Sequence, residues 1–398
     1  MDPDPGSAAA PVDRLALVLS GGGARAAYQA GVLAGLAKAH PELAPVIYTG
    51  VSAGAINATF LAAHPGSFVE ATRDLVGLWR LLSIERVLRT DVGTIAASFA
   101  RWGGRLVSGG RGRVSRKARA LVDGSPLREF LAGHLQGSDG AITGISRNLD
   151  AGRLHAVAIS TLHYGSGDTF NWLQARGVEP WLRPGRRIVP ARLAVSHVLA
   201  SAALPIVFPA VRLHGGWHGD GGVRLTAPFS PAIHLGATRI LAVSTRRQRG
   251  GEESDPRRQR RYPSPAQIGG HLLDAAFLDL FDEDARRLEK VNQICRALPG
   301  ASDLGFRVID TLVVRPSRDL RPLAARFESR LPRALRFAGR GLGSGEGGAG
   351  SMLSLLLFIP EFLESLIELG QMDATRYGAG GLPAPPDLCR SSSIPAPG

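Results

Sequence analysis

Ile47-Tyr48-Thr49-Gly50-Val51-Ser52-Ala53-Gly54-Ala55-Ile56-Asn57-Ala58 reads as the end of a strand, a tight turn of small residues and the start of an apolar helix. Gly50 and Gly54 flank Ser52 in the G-x-S-x-G spacing of a nucleophile elbow, a strained turn that lifts a serine to where a substrate can reach it. Bulky neighbours would bury that hydroxyl, which is why the flanking positions are glycines. Ser52 then stands at a helix N-terminus, where unpaired N–H groups and the helix dipole favour negative charge. The plainer reading of the same residues is a strand-to-helix turn whose serine is only an N-cap.

Upstream, Leu15-Ala16-Leu17-Val18-Leu19 is a continuous apolar run, as expected of a strand covered on both faces. It leads into Ser20-Gly21-Gly22-Gly23-Ala24-Arg25-Ala26 and a helix expected from about Ala27 to Ala39. A strand, a glycine loop and a helix in that order present successive backbone N–H groups to an anion. Gly21, Gly23 and Ala26 also fit the dinucleotide fingerprint, which requires an acidic residue at the end of the next strand. That strand, expected at Val46 to Thr49, ends in the Ser52 turn instead. An oxyanion hole serving a nucleophile on the adjacent strand accounts for both loops at once.

Downstream, Gly215-Gly216-Trp217-His218-Gly219-Asp220-Gly221-Gly222 sets one carboxylate among glycines that permit close backbone approach. The alternative is an ordinary Asp-Gly hairpin turn. Of the histidines that a Ser–His–Asp triad would need, His234 and His271 follow Asp220 in the chain but fall on expected helices. His218 is expected to face away from Asp220.

With these three stretches in order, the chain resembles the patatin-like phospholipases of bacterial type, over roughly residues 15 to 244 and more weakly beyond. The resemblance implies an α/β fold with a central, mostly parallel sheet flanked by helices. It also implies a Ser–Asp dyad that hydrolyses acyl esters of lipids, of phospholipase A or lysophospholipase type. Carried across, Ser52 is the nucleophile, Asp220 the base, and the backbone of Gly21, Gly22, Gly23, Ala24 and Arg25 the oxyanion hole. Gly50, Gly54, Gly221 and Gly222 complete the motifs. Ala26 departs from the family, which usually has glycine there. Neither a cofactor nor a metal is expected. The competing expectations are an arginine-rich peripheral membrane scaffold and an inactive relative.

Composition limits the remaining choices. The 398 residues are 44% hydrophobic and 20% charged, ample for a large core. Lys38, Lys117 and Lys290 are the only lysines, so the net charge of +13 is almost wholly arginine. That surplus suggests attraction to anionic membranes. In the Gly/Arg-dense stretch at 101–119 aromatics on which bases could stack are scarce, so no nucleic-acid partner is expected. Cys295 and Cys389 are too few for a disulfide framework.

The expected organisation is a tail at 1–12, a catalytic domain at 13–245 and a mobile loop at 246–264. A helical extension with one strand follows at 265–378, and a second tail at 379–398. Within it, helices are expected at 68–88, at 196–203, at about 265–295 and from Ser125, the last with Ser125 as N-cap and Pro126 in the first turn. The apolar segment Met352 to Leu369 is interrupted by Pro360, Glu361 and Glu364, and is expected to be a core helix rather than a membrane span. The chain reads as cytoplasmic, with peripheral contact at the inner face of the membrane.

Overall fold

The computed structural model describes residues 13–89, 122–137, 139–247, 280–298, 300–332 and 354–378, together with 268 and 336. The Gly/Arg-dense stretch, the loop at 246–264, both tails and His271 lie almost wholly outside the described residues.

The fold is α/β. The strands are β1 (Leu15–Leu19), β2 (Ile47–Val51), β3 (Ala156–His163), β4 (Thr169–Ala175), β5 (Leu182–Arg183), β6 (Arg186–Pro190), β7 (Val211–Leu213), β8 (Gly216–Asp220), β9 (Arg239–Val243) and β10 (Asp310–Val314). They form one sheet in the order β10-β9-β1-β2-β3-β4-β6-β5, with β8 pairing both β3 and β7. The five central strands from β10 to β3 are all parallel. β10, expected in an extension, therefore lengthens the same sheet.

Side-chain alternation along the strands builds two cores. Leu17 and Leu19 join the core on one face, and Ala16 and Val18 join Phe229, Ile240 and Phe281 on the other. Helices α1 (Ala27–Ala39), α2 (Ala53–Ala63) and α3 (Phe68–Arg80) contribute to the first. The helix expected at 68–88 ends at Arg80, and a short turn, α4 (Ile84–Val87), follows. Helix α5 (Ser125–Leu135) is preceded by Gly124 at the N-cap; Ser125 is its first residue and directs its N–H and hydroxyl to Asp123 Oδ1 at 2.9 and 2.8 Å. The acceptor that ends the chain's approach is thus Asp123, two residues before the expected cap. Next come α6 (Thr143–Asp150), α7 (Val195–Ser201) and α8 (Ser230–His234). Beyond them lie α9 (Leu280–Ala297), α10 (Leu320–Ala325) and α11 (Pro360–Gly378).

Of the apolar segment expected as a helix at 352–369, only the part from Pro360 lies in the core helix α11, which runs on to Gly378. Phe362, Leu363, Leu366 and Ile367 of α11 are fully buried. The α1 and α11 backbones meet without intervening side chains: a Cβ on Gly31 would sit 2.1 Å from the Ile367 carbonyl oxygen, and one on Gly370 2.4 Å from that of Tyr28. Tyr28 adds a hydroxyl donated to Asp373 at 3.1 Å. Among the described residues no helix is long and apolar enough to cross a membrane.

Because the obstacle at Gly31 is backbone, it cannot swing aside. Gly31→Val should therefore lower stability by at least the roughly 1–3 kcal/mol typical of overpacking, read as a shift in the urea midpoint.

Candidate active site

Two strand ends converge on one edge of β3. β4 occupies the other edge, pairing Ala156 through Leu162. On the shared edge β2 runs parallel to β3 and stops with Val51 opposite Ser160. β8 runs antiparallel and stops with Asp220 opposite Thr161, the next residue. Ser52 and Asp220, 168 positions apart by their residue numbers, are thereby delivered to neighbouring rungs.

Ser52 has φ 56° and ψ −131°, a left-handed backbone that costs energy for any residue with a Cβ. The elbow glycines are needed because the first turn of α2 lies on the strand ends. A Cβ on Gly54 would stand 2.4 Å from the Leu19 carbonyl oxygen, and one on Gly50 2.4 Å from that of Gly54. The strained turn is held from behind by Ser201, a residue the sequence reading did not single out. Its hydroxyl accepts the Ser52 N–H at 2.9 Å and donates to the Ser160 carbonyl at 2.7 Å. Two residues on, the Ala203 carbonyl accepts the Asp220 N–H at 2.9 Å. The end of α7 thus fixes both backbones.

Asp220 is fully buried, Ser52 nearly so. The Asp220 Oδ1 accepts the Gly222 N–H at 2.9 Å, while Oδ2 is buried with no hydrogen-bond partner of ordinary geometry. Burial raises the carboxyl's pKa to about 7, against smaller downward pulls from the nearby Ser52 hydroxyl and the Gly222 N–H.

The glycine loop divides into two parts. Gly22 and Gly23 line the cavity beside Ser52. Gly23, at φ 53°, lies so close to the Leu355 carbonyl oxygen that a Cβ would stand 2.1 Å from it. Gly21, Ala24 and Arg25 lie behind the cavity wall. The Gly21 carbonyl accepts the Thr245 hydroxyl at 2.8 Å, and the Arg25 N–H is taken by the Gly22 carbonyl at 3.0 Å. The buried Arg25 guanidinium donates to Ser354 Oγ at 2.9 Å from Nε and 2.6 Å from Nη2. Ala26 is fully buried, its carbonyl accepting Asn57 Nδ2 at 3.2 Å, so the extra methyl is accommodated.

Asn57 also belongs to a buried polar network that the sequence reading missed. It donates to Gln29 Oε1 at 3.0 Å and accepts from Trp79 Nε1 at 2.7 Å. Gln29 in turn donates to the Ser20 and Val243 carbonyls at 2.9 and 3.1 Å. The available signal was a lone amide in each of two otherwise apolar helices.

The cavity at Ser52 has about 620 Å³ of space, its open mouth included. Ile56, Trp79, Leu82, Leu204, Phe208 and Phe358 are among its walls. With the Trp79 N–H spent on Asn57, the indole offers the cavity only apolar surface.

No described histidine bonds to either residue of the pair. His218 and Asp220, two apart on an extended strand, share a face rather than oppose each other, which corrects the expectation from sequence. His218 is nevertheless committed elsewhere. Its Nδ1 lies 3.1 Å from Thr161 Oγ1, its ring packs among His163, Phe170 and Trp172, and burial together with neighbouring His163 lowers its pKa to about 4. His234 is stacked on Trp181 in α8, with Nδ1 2.8 Å from the Ser230 carbonyl oxygen.

The sequence profile of patatin-like phospholipases matches residues 17–233, more than half of the chain. The chain belongs to the patatin-like phospholipase family. No curated protein matches it. Among solved structures it is similar to human GIVD cytosolic phospholipase A2 in complex with methyl gamma-linolenyl fluorophosphonate, at 13% identity and TM-score 0.42. That match covers 93% of this chain and 58% of the human one, so the chain corresponds to under two thirds of the longer protein. It is also similar to VipD from Legionella pneumophila, at 11% identity and TM-score 0.30, covering 89% of this chain and 67% of that one.

Two predictions concern the stability of this site. Ser201→Ala removes the acceptor of a buried N–H and should cost about 1–3 kcal/mol by urea unfolding, with Ser201→Thr, which keeps a hydroxyl, recovering part of the loss. The second concerns Asp220, whose carboxyl ionises near 3.8 when unfolded and about 7 when folded. The folded state therefore binds this proton more tightly, and stability falls as pH rises through that window. Asp220→Asn has no charge to bury, so its melting temperature relative to wild type should climb between pH 4 and pH 8. A constant difference across that range would contradict the raised pKa.

Proposed function

We propose that this protein hydrolyses carboxylic esters of lipids through an acyl-enzyme, with Ser52 as nucleophile and Asp220 as general base. The observation that carries the reading is a strained serine lining an apolar cavity, with a fully buried carboxylate on the neighbouring rung of β3.

Ser52 Oγ attacks the ester carbonyl carbon as its proton passes to Asp220. A free aspartate is too acidic to take a serine proton readily; one that ionises at about 7 is matched to neutral pH. The carbonyl oxygen, now an anion, turns toward the N–H groups of Gly22 and Gly23. Each good donor of this kind typically lowers the barrier by about 2.7–4 kcal/mol. Collapse of the tetrahedral intermediate expels the alcohol, which leaves with the proton held by Asp220. The acyl group remains esterified to Ser52 with its chain against Ile56, Trp79 and Phe358. Water then gives a proton to Asp220 and attacks the acyl carbon. The second collapse releases the fatty acid and returns the proton to Ser52 Oγ.

An inactive relative has little reason to keep this pair. Burying a carboxylate with one oxygen unpartnered costs stability, and a neutral residue of the same shape would avoid that cost. A scaffold reading leaves Ser52's strain equally unused. The apolar walls of the cavity support an alkyl-chain substrate. The charge of +13 would draw the protein to anionic lipid.

On a soluble short-chain nitrophenyl ester, Ser52→Ala should abolish turnover, and Asp220→Asn should lower kcat by about 10²–10⁴-fold. The wild-type kcat/KM should rise with pH through one ionisation centred at about 7, since the base works only after losing its proton. That limb should persist unchanged in His218→Gln. Substantial turnover by Ser52→Ala, or loss of the limb in the histidine variant, would overturn the dyad.

A further inference from the structure

One exposed residue is held in a conformation that its side chain resists. Ile206 has φ 71°, in the left-handed region, and is 60% exposed. A β-branched residue is a genuine outlier there, where glycine would sit without strain. It belongs to the tight turn Leu204-Pro205-Ile206-Val207-Phe208, closed by the Phe208 N–H donated to the Leu204 carbonyl at 2.9 Å. Proline precedes it, the arrangement of a turn whose next position ordinarily takes glycine. The strain is borne by a side chain that leaves most of its alkyl surface exposed to solvent.

The location of the turn gives that expense a purpose. Leu204 and Phe208, its two ends, both line the cavity at Ser52. The Val207 carbonyl accepts the Val122 N–H at 3.1 Å, and the Asp123 carbonyl accepts the Arg89 N–H at 3.2 Å, tying the turn to the segment that contributes Leu82 and Val87 to the same cavity. Leu81, next to Leu82, is itself 48% exposed. On the Asp220 side, Tyr164 and Trp217 are 45% and 43% exposed and joined through the Tyr164 N–H, donated to the Trp217 carbonyl at 2.9 Å. A Cβ on Gly219, adjacent to Asp220, would stand 2.2 Å from the Tyr164 hydroxyl oxygen. Exposed aliphatic groups thus neighbour residues that line the cavity, and exposed amphipathic aromatics neighbour the strand that carries Asp220, side chains of the kinds suited to the boundary between water and acyl chains.

We infer that the Ile206 turn is a preformed wedge that enters an anionic lipid surface and sets the Ser52 cavity against it. The inference rests on the lipid-ester reading above. Lipid is the occupant because both ends of the Ile206 turn, Leu204 and Phe208, line the apolar cavity at Ser52, and the protein's net charge of +13 favours anionic headgroups. The turn is already closed by its own hydrogen bond and tied to Val122, so little conformational freedom is lost on insertion.

The test uses the full chain and vesicles of phosphatidylglycerol, with phosphatidylcholine vesicles as the comparison. Ile206→Gly should melt at or above the wild-type temperature and hydrolyse the soluble ester within about twofold of wild type. It should bind phosphatidylglycerol vesicles roughly tenfold more weakly, the order expected for losing one inserted aliphatic side chain. Ile206→Trp should restore binding, and its emission should shift to the blue on adding vesicles and be quenched by a lipid-borne quencher. Vesicle binding is measured in the Ser52→Ala background as well, so that failure of the catalytic reading does not mask the result. Wild-type vesicle affinity in Ile206→Gly would overturn the wedge, as would an unshifted tryptophan. A concentration-dependent dimer abolished by Ile206→Gly would overturn it in favour of a second copy of the chain.

Discussion

The shared edge of β3 is the constraint on which the site depends. A strand has two edges, and β4 takes one of them along nearly the whole of β3. The other is divided between β2, which arrives in parallel, and β8, which arrives antiparallel, and both end where they meet. The Ser160 carbonyl at that junction accepts Ser201, whose hydroxyl in turn accepts the Ser52 N–H. The backbone positions of Ser52 and Asp220 are thereby set by sheet register. A one-residue slip of β8 would carry Asp220 off its rung and turn its side chain to the other face.

Precision of this kind has a thermodynamic cost that the rest of the fold offsets. The left-handed Ser52 and the unpartnered Asp220 oxygen both oppose folding. The Gln29–Asn57–Trp79 network and the backbone contact of α1 with α11 work in the other direction. The buried amides do more than satisfy one another. They join β1, β9, α1, α2 and α3, so that the glycine loop and the elbow cannot move independently. A raised carboxylate pKa is the chemical return on burying Asp220, since the same desolvation that destabilises the ion makes it a stronger base.

Much of this was legible in the sequence, for identifiable reasons. β1 and α1 lie where the apolar run and its glycine stop place them, because their signals are local. The elbow and the aspartate were legible because strain and close approach demand glycines at fixed offsets. Ser201 was not, since its partners are 149 and 41 residues away and a serine in a small-residue helix has no distinguishing neighbour. Splitting the glycine loop into a cavity-facing pair and a buried remainder required knowing that the Arg25 N–H closes on the Gly22 carbonyl. The early end of α3 at Arg80 was obscured because apolar spacing continues through Leu82 and Val87, which turn out to line the cavity. Those leucine and valine positions line a cavity, and helical periodicity cannot distinguish that from a core.

The family match ends at residue 233, yet the site does not. Thr245, just beyond β9, holds the Gly21 carbonyl, and Ser354 receives the Arg25 guanidinium. Leu355, Leu356 and Phe358 form part of the cavity wall, and the Leu355 carbonyl lies against Gly23. A chain stopping near residue 233 would open the cavity on that side and leave a buried guanidinium without its hydroxyl acceptor, a costly state for a charge. It would also strip from α1 the helix against which Gly31 and Tyr28 pack. The segment that looks like an appendage in sequence is therefore a wall of the site, and the glycine loop is packed by residues more than 300 positions away in the chain.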